Sequence, residues 1–353
     1  MMRIYYPQEH YDPQERGALF PLLKAFIKAS SFTDTQRMAL YQLHSKDCTF
    51  VEFIEEAELV ILPMSWNYYQ KYKRMPQALK LLRAAQKLNL PVWSWNAGDF
   101  GVKVPVYPHL TVFRMSGYAS QQGLGHRGMP VFIADRFDEN FGSSQSAYLN
   151  HTPLPQVGFC GLANPTRKQA FKELIKIGLR NSLSRLGLKA DEPQALLSAS
   201  HLRAELLANL QQHPDVNCDF IVREQYRAGA KTTAEKEEST RAFYRNMRDN
   251  AYVLCIRGAG NFSVRFYECL MMGRIPIYVH TDGLLPLNDS IDWKKHLVWV
   301  DYAERAQLAE KLIAFHQALR PEEFVALQHS NRQLWENQLR MGGFFKQEYQ
   351  KQF

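Results

Sequence analysis

The stretch AYVLCIRGAGNFSVRFYECLMMGRIPIYV, residues 251–279, decides the fold. A buried strand ends at Ile256 and a glycine-rich turn follows. A helix then begins near Asn261 or Phe262, Gly273 stops it, and RIPIYV (274–279) is a second strand. Two strands joined through a helix pair in parallel, so this segment is one unit of a helix-covered sheet. A strand-to-helix turn of this kind aims free backbone N–H groups and the positive helix end at one point, which suits phosphate. On the helical reading Asn261, Arg265 and Glu268 share one face, while Phe262, Phe266 and Cys269 cover the sheet. An arginine in a first helical turn opposes the dipole, and a bound anion offsets it. Glu268 one turn on is a charged acceptor suited to ribose hydroxyls. The plainer alternative is an Arg265–Glu268 surface ion pair. GAGNFS matches two glycines of the dinucleotide pattern GxGxxG, but Ser263 stands at the third.

Outward from this segment the alternation continues. Before it come VGFCG (157–161) as strand, Arg167–Leu186 as helix, CDFIV (218–222) as strand and Ser239–Arg248 as helix; HLVWV (296–300) is a strand after it. The first half repeats the pattern: MRIYY (2–6), a helix over Gly17–Ser30, ELVILPM (58–64), a helix over Pro76–Leu88, LPVWSW (90–95) and PVFIADRF (130–137). The Pro-spaced segment His151–Gln156 reads as a linker. The organisation is therefore α/β, with an N-terminal domain over 1–150, a second over 151–330, and a helical segment over 331–353. In that last segment Gly342-Gly343 breaks one helix from a shorter one.

A length of 353 residues fits two domains, each with its own core. With 46% hydrophobic and 22% charged residues, a disordered or collagen-like chain is excluded. Forty-three Lys plus Arg against 35 Asp plus Glu give a net charge of +8, which favours anionic partners. No apolar run approaches the roughly 18 residues that span a bilayer, and the first residues lack the apolar core of a secretory signal. Five cysteines without a CxxC pair read as free thiols in a reducing, cytoplasmic setting. The chain has no D-x-D triplet and no GxxxxGK[ST], so a metal-bridged diphosphate and a P-loop both lack their motif. No RNA- or DNA-binding pattern accompanies the positive charge.

The run from Tyr244 to Trp293 resembles the C-terminal signature of the exostosin-type glycosyltransferases, through its S-x-R-x-x-E core, G-x-I-P turn, Asp before LP, and IDW. Gly158–Gly161 followed by Arg167 is similar to the opening of the donor domain in that family. The resemblance implies a GT-B fold: two Rossmann-like domains facing a cleft, with a C-terminal helix crossing back. It implies transfer of a sugar from a nucleotide-diphosphate donor, a UDP-sugar, to a glycan acceptor, with inversion and without a metal or other cofactor. It also implies a bacterial member without a membrane anchor, cytoplasmic or peripheral to the membrane. By position Glu268 would hold the ribose and Arg265 the diphosphate. Ser263, Gly260 and Asn261 would complete the phosphate site, with Arg257 and Arg167 as further basic candidates.

Inversion needs a base on the acceptor side, hence from the first 150 residues. Asp99 leads because Asn96-Ala-Gly-Asp99 follows directly on a strand, where loops at carboxyl ends face the ligand crevice. His126, then His10 and Asp135, follow it. The competing reading is a non-catalytic glycan- or nucleotide-binding protein on the same fold.

Overall fold

The computed structural model describes residues 1–142, 147–225 and 229–352. The central strands are buried on both faces, as parallel sheets require. Six strands, β1 (Met2–Tyr5), β2 (Cys48–Phe50), β3 (Leu59–Ile61), β4 (Val92–Asn96), β5 (Leu110–Arg114) and β6 (His126–Gly128), make the first sheet in the order β2-β1-β3-β4-β5-β6. Five more, β7 (Gln156–Leu162), β8 (Asn217–Arg223), β9 (Tyr252–Cys255), β10 (Ile275–His280) and β11 (Val298–Asp301), make the second in the order β11-β10-β9-β7-β8. All pairings are parallel. In each sheet the second strand lies outside the first, and the order then reverses. Each therefore has a switch point where two adjacent connections leave in opposite directions.

Helices α1 (Asp34–Tyr41), α2 (Trp66–Lys71) and α3 (Met75–Lys87) accompany the first sheet, and α4 (Phe137–Phe141) follows it in the chain. Helices α5 (Arg167–Arg185), α6 (Ala199–Gln212), α7 (Thr233–Asp249), α8 (Val264–Met271) and α9 (Leu308–Ala318) accompany the second, and α10 (Pro321–Leu334) and α11 (Met341–Gln350) end the chain. Alternation along β9 shows how the layers are shared. Val253 and Cys255 join a core that includes Phe266 and Leu270 of α8 and continues into the first sheet. Tyr252 and Leu254 face the opposite core, with Leu206 and Leu210 of α6 and Leu312 of α9. α11 crosses back to the first half: Phe345 lies 5.6 Å from the Trp93 ring, and Trp93 donates to Gln352 at 2.8 Å. The fold is two Rossmann-like α/β units, with the C-terminal helix returning to the first.

Several expectations change. The region 17–30 forms short 3-10 turns, Pro13–Ala18 and Pro21–Ala25, instead of one helix. The Phe20 N–H is held by the Pro63 carbonyl at 2.7 Å, and Pro21 has no N–H to offer. Residues 130–136 form no strand, and Pro130 has no N–H to extend the ladder after β6. The break between the last helices falls at Arg340 (φ −74°, ψ 159°), and the two glycines lie inside the first turn of α11. The segment His151–Gln156 is no loose linker: the His151 ring stacks on His316 at 4.0 Å. All five cysteines are free thiols. Among the described residues no helix is long and apolar enough to cross a membrane.

Candidate active site

The second sheet's switch point lies between the carboxyl ends of β7 and β9, and three arginines converge on it. Arg265, in the first turn of α8, lays its guanidinium back across both strands. Nη2 donates to the Cys160 carbonyl at 2.8 Å and Nη1 to that of Leu254 at 3.4 Å, over the Phe159 ring. Gly161 makes room, since a Cβ there would sit 2.5 Å from Nη2. Arg203, from α6, donates to the carbonyls of Leu162 (3.0 Å) and Arg257 (2.8 Å). Arg257 is buried and donates to the Tyr118 hydroxyl at 2.8 Å. None of the three forms an ion pair among the described residues, and the Nε atoms of Arg203 and Arg265 are buried without a partner. Burial, and then the charge of Arg265, pulls Arg203 down to about 10; burial also pulls Arg265 below its ordinary value. Concentrated positive charge without a counter-anion is suited to a diphosphate.

Arg203 was not among the sequence candidates. Its signal is positional: Arg203, Leu206, Leu207 and Leu210 form one helical stripe, and the leucines are all buried. An arginine on an apolar stripe calls for an anionic or carbonyl partner.

Helix α8 starts at Val264, later than expected, with Ser263 at its N-cap. The Ser263 hydroxyl makes no hydrogen bond to a described residue, as its side chain leaves the cap unfilled. Glu268 accepts from the Tyr244 hydroxyl at 3.2 Å, and burial raises its carboxyl above the ordinary value against the opposing pull of Arg265. Asn261 lies in the turn, outside the helix, so it does not share a helical face with Arg265 and Glu268. Its amide is occupied, donating to Gly117 O at 2.9 Å and Thr281 O at 2.8 Å while its carbonyl accepts from Thr281 Oγ1 at 2.6 Å. It ties the two halves together. Arg167 stands exposed at the start of α5 and joins none of the other arginines.

Asp99 does reach this loop. A Cβ on Gly260 would fall 2.8 Å from both the Asp99 Cα and its carbonyl oxygen, so only glycine lets the two loops touch. Ser116 bridges them, donating to Asp99 O at 2.6 Å and accepting from Asn261 N at 2.8 Å. The exposed Asp99 side chain makes no hydrogen bond or ion pair with a described residue. The other base candidates lie elsewhere. His126 begins β6 and lines a separate cavity of about 270 Å³ with Tyr107, Gln122 and Glu192. Its Nδ1 lies 3.4 Å from Arg114 Nη1, and burial together with that charge lowers it to about 4. His10 is buried against the Tyr69 hydroxyl at 3.0 Å, and Asp135 is paired with Arg332 at 2.7 Å. Trp66, Trp93 and Trp95 are all core residues.

The fold and the site together define a doubly wound α/β protein with a cluster of three arginines at the switch point of its second sheet. No family model matches the chain. A 90-residue stretch is 32% identical to Exostosin-1 of Drosophila melanogaster, covering 26% of this chain and 11% of that protein's length. Among solved structures, TarM is similar at 10% identity with a TM-score of 0.30, over 76% of this chain and 57% of TarM.

Proposed function

We propose that this chain is a glycosyltransferase that moves a sugar from a nucleotide-diphosphate donor, a UDP-sugar, to a glycan hydroxyl. The observation that carries the reading is the cluster of Arg203, Arg257 and Arg265 at the β7/β9 switch point, with no carboxylate among the described residues paired to it. The stretch similar to Exostosin-1 supports the same class. Glu268 accepts from the ribose hydroxyls. The acceptor oxygen attacks the anomeric carbon as the bond to the diphosphate oxygen breaks, inverting the centre. Asp99 takes the hydroxyl proton, and the arginines, with the amides leading into α8, hold the charge that develops on the leaving diphosphate.

The test is UDP release from UDP-sugars, with and without glycan acceptors, for wild type and Asp99→Asn. The variant keeps the size of the side chain but cannot take a proton. We expect transfer to drop roughly 10²–10⁴-fold with donor binding retained, and wild-type activity to persist in EDTA. Transfer within a few-fold of wild type removes Asp99 as base. Donor binding with no turnover on any acceptor instead favours the non-catalytic binding protein.

A further inference from the structure

Helix α5 carries an apolar stripe on its solvent side. Phe171, Ile175, Leu179, Leu183 and Leu186 follow one another at three- and four-residue steps, with Phe171, Leu179 and Leu186 at 64%, 63% and 73% exposure. From Phe171 to Leu186 the stripe runs about 22 Å at 1.5 Å per residue. Isolated exposed leucines are ordinary; an aligned row of this length is an interaction surface.

The charge around the stripe selects its occupant. Residues Arg167 to Lys189 hold seven Lys or Arg and one acid, Glu173. That carboxylate is turned inward, accepting from Ser198 (2.6 Å) and Ser200 (3.1 Å). Lys168, Lys172 and Lys176 are exposed along the stripe, and Arg185 is exposed near its end. A second copy of the chain laid on this face would set lysine against lysine, whereas an anionic bilayer neutralises them. The inner side of α5 is anchored separately: Arg180 lies 3.7 Å over the Phe100 ring and pairs with Asp191 at 2.6 Å, and Ser184 O accepts from Lys103 at 3.2 Å. The outer face is therefore free to dock without disturbing the loop after Asp99.

We propose that α5 docks the protein on an anionic phospholipid surface, lying in the interface plane with its apolar row in the acyl boundary and its lysines among the headgroups. Because α5 starts a few residues after β7, docking holds the carboxyl end of β7, where Arg265 lies, near the bilayer surface.

The experiment is flotation of the full chain with vesicles and no nucleotide sugar, so its outcome is independent of the transferase reading. Vesicles of equal phosphatidylglycerol and phosphatidylcholine should retain the protein, and pure phosphatidylcholine should not. Retention should fall when salt rises from about 0.1 M to about 1 M, as the Debye length shrinks from ~10 Å to ~3 Å. Phe171→Ser with Leu179→Ser should lower partitioning at least about tenfold with an unchanged melting temperature. Lys168→Glu with Lys172→Glu should lower it at least about 25-fold, at roughly fivefold for each basic residue near an anionic leaflet. Equal retention on both vesicle types, no retention by the wild type, or a dimer that the Phe171/Leu179 variant dissolves would each overturn the proposal.

Discussion

Arg114 ends β5 and Arg265 lays its guanidinium across the carboxyl ends of β7 and β9, one in each sheet, and their surroundings are opposite. Arg114, wholly buried at the end of β5, is gripped by both oxygens of Glu192, by the Ser116 carbonyl and by Gln122 Oε1 at 2.7 Å. Arg265 has two backbone carbonyls, an orphaned Nε and no carboxylate within ion-pair distance among the described residues. A cation with every donor matched is part of the framework. One held without its counter-charge costs stability, and the fold retains it at the place where a ligand anion would supply the match.

The largest effect should come from breaking the matched member. Arg114→Ala leaves Glu192 without its partner, and urea denaturation should show a loss of about 3–5 kcal/mol. A loss under about 1 kcal/mol would erase the contrast. Arg265→Lys should do the reverse, leaving the melting temperature near wild type while UDP affinity drops by as much as about a hundredfold, because a point charge cannot reproduce the planar fork. Near wild-type affinity would move the diphosphate role to Arg203 or Arg257.

Glu268→Ala should weaken UDP binding roughly tenfold to a hundredfold in a folded protein, read by calorimetry. Its raised carboxyl sharpens this further. The proton is taken up above the usual carboxylate range, so wild-type affinity should fall as pH drops into that window, while Glu268→Gln stays flat. The same shift favours the folded state at low pH, and that contribution is lost as pH rises through the window.

The smallest effect concerns His126. Its imidazole stays neutral in the folded state down to about 4, whereas the unfolded chain binds the proton from about 6.5. Stability should therefore decline as pH falls between those values, and His126→Asn should flatten that part of the melting-temperature profile. Transfer by the variant should stay within a few-fold of wild type. A large drop in transfer would place the histidine in the chemistry after all.

Local pattern determined much of this protein. Period-two and period-3.6 hydrophobicity, punctuated by glycine, was enough to read eight strands of the two parallel sheets and the strand-to-helix turn before α8. These features depend on neighbours within a few residues. The strands β2, β5 and β6 were not legible, because their segments are interrupted by polar residues and become strands only by pairing with neighbours already in place. The helix expected over 17–30 failed for a related reason: a long-range bond to Pro63 outweighed an apolar stripe. The site divides in the same way. Arg265 and Glu268 are marked by their spacing within one turn-and-helix unit. That Asn261 is occupied by Gly117 and Thr281, that Arg203 joins Arg257 across 54 positions, and that Asp99 rests on Gly260 were decided by tertiary structure alone. Those contacts unite segments that no sequence periodicity connects. They form only when two sheets and a returning C-terminal helix close around one shared core.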